Sequence, residues 1–363
     1  VGLADVADAS PLSSLAIDGA VAALAAVGAL TVDETLTPLG LHLASLPLDC
    51  HLGKLLVVGA LLGVLAPALT IAATLSEKSP FDAGFAAGDA VARVKAGLAA
   101  PGSGTLAAGQ QSDHLVAVAA FDGWAAERRA RGAGAARAHA RSRCLNSQAL
   151  QALADVRLQF AAMLADARLV PGAGGKGGPR GAWADDAAAP WNAHAAKPAV
   201  VKAALTAALY PNVAVLDAEE KGPAARPAWH DGGGPVSLHP SSSLASLPAS
   251  AFQSPFVVYL EKVRTAKAYL RDATAVPAAA LLLFGGDLAV DHAAGVVRVG
   301  DWLRVRAAAR TAVLVKRLRG AVDAHLAAAV GGGRGQGGAP AAGGGAALVD
   351  AIVALLTEEQ PAA

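Results

Sequence analysis

Apolar and polar positions follow two different periods along this chain. Between Leu12 and Leu30, Leu15, Ala16, Val21, Leu24 and Val27 recur at helical spacing, and Gly28 ends the pattern. Thr31–Leu36 is a short, polar, β-like stretch. Thr37 then offers an N-cap before Pro38 at the first helical position, opening a helix that stops near Pro47. Asp49 can cap the next segment, which leads into Leu55–Leu75, 21 residues without a charge. By length and hydropathy this run qualifies as a membrane span. Pro67 argues otherwise, because it disfavours the α region at Ala66 and should split the run there. Two helices of roughly 9–16 residues would each reach about 14–24 Å, short of a ~30 Å hydrocarbon core. No Trp or Tyr anchors either end, so the run reads as a protein core and no membrane partner is expected.

Ala86–Leu98, Ser112–Ala126 and Gln148–Val170 read as further helices. The last carries Leu150, Leu153, Val156, Phe160 and Leu164 on one face. Between the last two lies the arginine-rich stretch Arg128–Arg143, read as a basic loop or a solvated connection. Pro171–Pro198 is rich in Gly, Pro and Ala and predicts a linker or insertion. From Val200 to Leu326 the period shortens. Runs at Val213–Leu216, Phe256–Ala268, Ala280–Phe284 and Val296–Val305, separated by turn residues, suit a small β-barrel. Gly331–Ala346 is low in complexity, and Leu348–Leu356 is expected to form one or two helical turns.

Composition changes this picture little. The 363 residues can hold two or three domains, and the alanine content inflates a mean hydropathy of +0.43. A net charge of +1 does not announce a nucleic-acid binder, so such a role must rest on local clusters. Cys50 and Cys144 form no CxxC pair, which argues against a disulfide framework or a zinc site and fits a reducing compartment. The first residues, VGLADVADAS, show no signal-peptide pattern and no initiator Met; the chain reads as an intracellular fragment, cytoplasmic or nuclear.

Several separated motifs resemble one family in the same order. LTPLG (Leu36–Gly40) and SPF (Ser79–Phe81) are followed by QSDHLVAVAAFDGW (Gln111–Trp124) and LQALADVRLQFAAMLAD (Leu150–Asp166). VKAALTAALYPNVA (Val201–Ala214), SLHPSSS (Ser237–Ser243), SPFVVYLEKVRTAKAYLRDAT (Ser254–Thr274), LLLFGG (Leu281–Gly286) and DWLRVRA…LVKRLR (Asp301–Arg319) complete the series. Together they resemble the C-terminal helicase-associated region of DEAH-box/RHA-type ATP-dependent RNA helicases. The resemblance implies a multidomain α+β chain: a winged helix over 1–48, an all-α ratchet bundle over 49–170, a linker over 171–198, an OB-like β-barrel over 199–328 and a tail over 329–363. Two stretches depart from the family pattern. Arg143–Asn146 replaces its NFLS, and Val276–Ala280 lacks the tyrosine expected before LLLF.

The implied role is to guide single-stranded or structured RNA and to stabilise motor domains present in cis, with a protein activator as a further partner. A binding or scaffold module without a motor is the alternative. No G-x-x-x-x-G-K-[ST] loop and no DEAH box occur in the sequence; GAGGKGG (Gly172–Gly178) has no Ser or Thr after Lys176. ATP and Mg are therefore expected only for the motor domains, with no cofactor, metal or catalytic residue in this chain.

The RNA-facing candidates are Arg264, Thr265, Lys267 and Arg271, with Arg304 and Arg306 beside Trp302. Read as one strand, Thr265, Lys267, Tyr269 and Arg271 share a face, and Lys262 and Arg264 share the other. Cations for phosphates and a ring for stacking are what single-strand binding requires. Arg143, from the arginine-rich stretch, and Ser112 and His114, from the ratchet motif, complete the set. Ser112-Asp113-His114 does not form a catalytic triad, because neighbours on one helix diverge by about 100° each. Ser112 or Asp113 reads as a helix cap.

Overall fold

The computed structural model describes residues 14–31, 33–81, 88–170, 180–217, 227–291, 295–306, 309–331 and 344–358. Helix α1 (Ser14–Val27) ends at Gly28, whose φ of +84° suits glycine. A single bridge, Leu30 to Leu36, precedes α2 (Pro38–Ser45), and the Thr37 side chain accepts from Gly40 N–H as the expected cap. Asp49 likewise caps α3 (Cys50–Leu61), accepting from His51 and Leu52 N–H.

The uncharged run does divide into two helices, but not at its proline. Helix α3 stops at Leu61 and α4 spans Leu65–Ser76, with Gly63 at φ +68° between them. Pro67 lies in the first turn of α4, where a missing N–H costs no helical hydrogen bond. Leu55, Leu56, Leu65, Leu69 and Ile71 are all buried among neighbouring helices. Among the described residues no single helix is long and apolar enough to cross a membrane; α2 and α3 pass such a test only together, across a 114° bend.

Helices α5 (Gly88–Ala99), α6 (Asp113–Ser142) and α7 (Ser147–Asp166) build the rest of the helical body. The arginine-rich stretch is helical rather than a loop. Its alanines and arginines are good helix formers, and α6 breaks only at Gly132, φ +81°, which brings His139 back beside Gly123. Ala136 and Ala140 bury the inner face of that returning arm.

Residues 180–197, expected as linker, pack onto the helices through two 3₁₀ turns, Ala182–Asp185 and Pro190–Asn192. The Trp183 and Trp191 rings meet edge to face at 5.2 Å. Buried Asn192 accepts from Ala66 N–H at 2.8 Å and donates to the Ala184 and Asp186 carbonyls. The gap it fills lies at the uncapped start of α4.

Helix α8 (Pro198–Leu209) leads into a closed barrel of β1 (Val213–Leu216), β2 (Trp229–Asp231), β3 (Gly234–Leu238), β4 (Phe256–Arg264) and β5 (Ala268–Ala275). Its strand order is β1-β2-β3-β5-β4, closed by β1 on β4, and β3 runs parallel to β5. The run expected as a strand at Ala280–Phe284 is instead helix α9 (Ala278–Phe284). Its alanine and leucine content favours a helix, and a short apolar run carries no periodicity to say so. A second antiparallel sheet follows, β6 (Leu288–Asp291), β7 (Val296–Val299) and β8 (Leu303–Arg306), then α10 (Ala309–Gly331). Helix α11 (Gly344–Glu358) is 15 residues long, about four turns rather than one or two. Most of Gly331–Ala346 lies outside the described residues.

Candidate nucleic-acid interface

The β4–β5 hairpin carries Arg264, Thr265, Lys267 and Arg271, four of the sequence candidates. Strand β4 ends at Arg264, and the chain turns back at Thr265–Lys267, with Thr265 N–H donating to the Lys267 carbonyl at 2.9 Å. Phe256–Ala268 is therefore a strand and a turn, and the expected alternation breaks there. Register places Lys262 opposite Leu270 and Arg264 opposite Ala268, so Lys262 and Arg264 share one face. Tyr269 and Arg271 stand on the other, opposite Val263 and Glu261.

A groove of about 1360 Å³ runs beside this hairpin. Lys262, Arg264, Thr265, Lys267 and Tyr269 line it, facing the 245–248 segment and Trp229. Its cations are not equivalent. Lys262 Nζ donates to Asp231 at 2.6 Å, and Tyr259 Oη donates to the same carboxylate at 3.2 Å. Burial pushes the Asp231 carboxyl up, but hydrogen bonds from Lys262, Gly233 N–H and Tyr259 and the Lys262 charge outweigh it, leaving it below the usual range. Burial next to that carboxylate raises the Tyr259 phenol. Arg264 and Lys267 make no ion pair among the described residues. Arg271 lies outside the groove, 3.6 Å from Glu261. Tyr269 meets the His239 ring edge-on at 5.9 Å.

Ser112 and His114 are not on this surface. They are 0% and 3% exposed, and Ser112 Oγ and His114 Nδ1 each lie 2.7 Å from Thr274 Oγ1 of β5. Ser112 also caps α6, accepting from Leu115 N–H at 3.1 Å. Between them Asp113 accepts from Ser242 Oγ, from Ser243 N–H and Oγ, and from Ala273 N–H, at 2.6–3.1 Å. Gln111 continues the seam, its carbonyl accepting from Ala275 N–H and its amide meeting Ala251 and Gln253. QSDH and SLHPSSS, separate in sequence, are thus two sides of one joint between the helical body and the barrel.

The remaining candidates are dispersed. Arg304 and Arg306 project from the exposed face of β8, on the second sheet. Arg143 is the exposed C-cap of α6. A second cavity of about 770 Å³ lies in the helical body, lined among others by Phe121, Asp122, Trp124, Arg128 and Arg157. Two of its three arginines are already engaged: Arg157 covers the Phe121 ring at 4.8 Å and pairs with Asp185 at 2.6 Å, and Arg128 covers Trp124 at 5.2 Å. The dense protein around Asp122 pushes its carboxyl up to about 6, against the pull of Arg157. No group of three or more metal-ligating side chains occurs among the described residues.

The architecture agrees with two family models. Residues 49–152 match the helicase associated domain (HA2), ratchet-like, and residues 201–288 match the oligonucleotide/oligosaccharide-binding (OB)-fold. The chain is 41% identical over 326 residues to the DExH-box ATP-dependent RNA helicase DExH4, chloroplastic, of Arabidopsis thaliana, covering 85% of this chain and 23% of that protein. It is 33% identical over 315 residues to DExH-box ATP-dependent RNA helicase DExH1 of the same plant, covering 86% and 29%. With the ATP-dependent DNA/RNA helicase DHX36 of Homo sapiens it shares 35% identity over 317 residues, again 86% and 29%. The chain therefore spans less than a third of each of these relatives.

Proposed function

Since this chain belongs to the C-terminal, helicase-associated region of the DExH/DEAH-box RNA helicases, we propose that it guides single-stranded RNA along the barrel groove. It does so as an accessory module of a motor whose ATP- and Mg-binding domains lie elsewhere in the same polypeptide. The observation that carries this reading is the groove beside the β4–β5 hairpin. Two cations that make no ion pair among the described residues, Arg264 and Lys267, line it together with Thr265 and Tyr269. Phosphates would meet the cations and a base would stack on the ring, an arrangement that needs no particular sequence.

Ser112, Asp113 and His114 serve this role indirectly, by fixing the barrel on the helical body. The uncharged α3–α4 pair supplies the frame. The helix, bridge and helix of residues 14–45 support the further proposal that this segment belongs to a winged helix. Arg143 and Arg271 are peripheral in this scheme.

Binding of the full chain to a fluorescent single-stranded RNA, titrated across salt concentration, tests the proposal. Arg264→Ala with Lys267→Ala should weaken binding by roughly tenfold and flatten the salt slope by about 1.4, at about 0.7 per lost phosphate contact. Lys262→Ala should weaken binding less, because Asp231 already holds that charge. Wild-type affinity in the Arg264/Lys267 double variant would remove the groove from the RNA path.

A further inference from the structure

The second sheet places like charges opposite one another. Strand β7 pairs with β8 so that Arg298 lies directly opposite Arg304, and Arg306 stands two residues further along on the same face. All three are exposed, while Val297, Val299, Leu303 and Val305 point the other way into the core. Like charges directly opposite across two strands destabilise the pair. None of the three arginines makes an ion pair among the described residues, and among these the acid on this face of the sheet, Asp291, stands on the outer strand. Arg298 carries no motif and is visible only through the register.

This face is joined to the groove. Trp302, half-buried just before β8, meets the His230 ring of β2 at 5.9 Å. Its indole also closes on the β2–β3 turn, where a Cβ on Gly232 would sit 3.0 Å from Trp302 Nε1. The next residue, Gly233, lines the groove. Trp302, two residues before Arg304, thus stands against a glycine turn whose next residue lines the groove. We infer that a single RNA strand leaving the groove crosses the Gly232–Gly233 turn beside Trp302 and lays its phosphates on Arg298, Arg304 and Arg306. The paired arginines are a polyanion contact whose mutual repulsion is relieved by the bound strand. This extension rests on the groove reading, and it predicts a footprint longer than the barrel alone.

The test uses the full chain and two single-stranded RNAs of about 6 and about 16 nucleotides, bracketing the ~4–16 nucleotides that one OB fold covers. Arg298→Ala with Arg304→Ala should leave affinity for the short strand unchanged. Affinity for the long strand should fall roughly tenfold, with a salt slope flatter by about 1.4. The same variant should melt no lower than the parent, since it removes a repulsive pair. Long-strand affinity within twofold of the parent would overturn the extension and leave the groove standing. If instead the Arg264/Lys267 variant keeps its short-strand affinity, the groove reading falls and the extension falls with it as a continuation of that path. An acidic polypeptide displacing the long RNA only from the parent, with no length dependence, would assign the arginine face to a protein partner and overturn the RNA path.

Discussion

Thr274 carries no charge and meets no solvent, yet its hydroxyl joins Ser112 to His114 across the seam. Thr274→Val keeps the shape and removes both hydrogen bonds. It should cost about 2 kcal/mol, because two buried polar groups lose a partner, as denaturant unfolding would measure. His114 adds a pH dependence. Burial lowers its pKa from the usual 6.5, with Asp272 and Asp113 opposing. As the pH falls, the unfolded chain therefore takes up this proton first. The contribution of His114 is complete above about 6.5 and is lost as the pH drops from there through the lower folded value, by up to about 1.4 kcal/mol per unit. His114→Asn should flatten the decline in melting temperature across that window. The cap at Ser112 was legible in sequence because capping is a local rule. The burial of His114 was not, since Thr274 stands 160 residues away.

Among the elements, the split of the apolar run is the clearest case of a right outcome with a displaced cause. Gly63→Ala should destabilise by about 1–2 kcal/mol, because φ is +68° and the new Cβ would meet the Pro190 carbonyl at 3.1 Å. Pro67→Ala should change stability by less than about 1 kcal/mol, because the first turn needs no donor there. Paired urea titrations would separate the two. A positive φ leaves no mark on hydropathy, whereas a proline is visible by name, so the sequence pointed to the wrong residue. The same limit explains α9 and the arginine-rich arm of α6. Composition there said polar or apolar correctly, but chain reversal at Gly132 and the helical state of a seven-residue run depend on what packs against them.

At the scale of the whole molecule, the change from a helical body to a barrel was legible because the period shortens after residue 212, although α9, α10 and α11 return to helix beyond the barrel. How the parts join was not: beside the apolar core they share, the polar side of the joint is made of residues whose partners lie in the other domain. Asp113→Ala should cost about 3 kcal/mol and leave Ser243 and Ala273 N–H without their acceptor. Unfolding followed by far-UV circular dichroism and by tryptophan fluorescence should then cease to coincide, as the barrel and the helical body lose their coupling. Of the groups on Asp113, all four are neutral: two hydroxyls and two backbone N–H groups. Ionic strength should therefore act differently on this joint and on the proposed RNA contacts. If RNA lies on Arg264 and Lys267 as proposed, concentrated salt should strip it while the neutral hydrogen bonds at Asp113 hold. Nucleic acid bound in the proposed way should then wash away in high salt without taking the barrel off its frame.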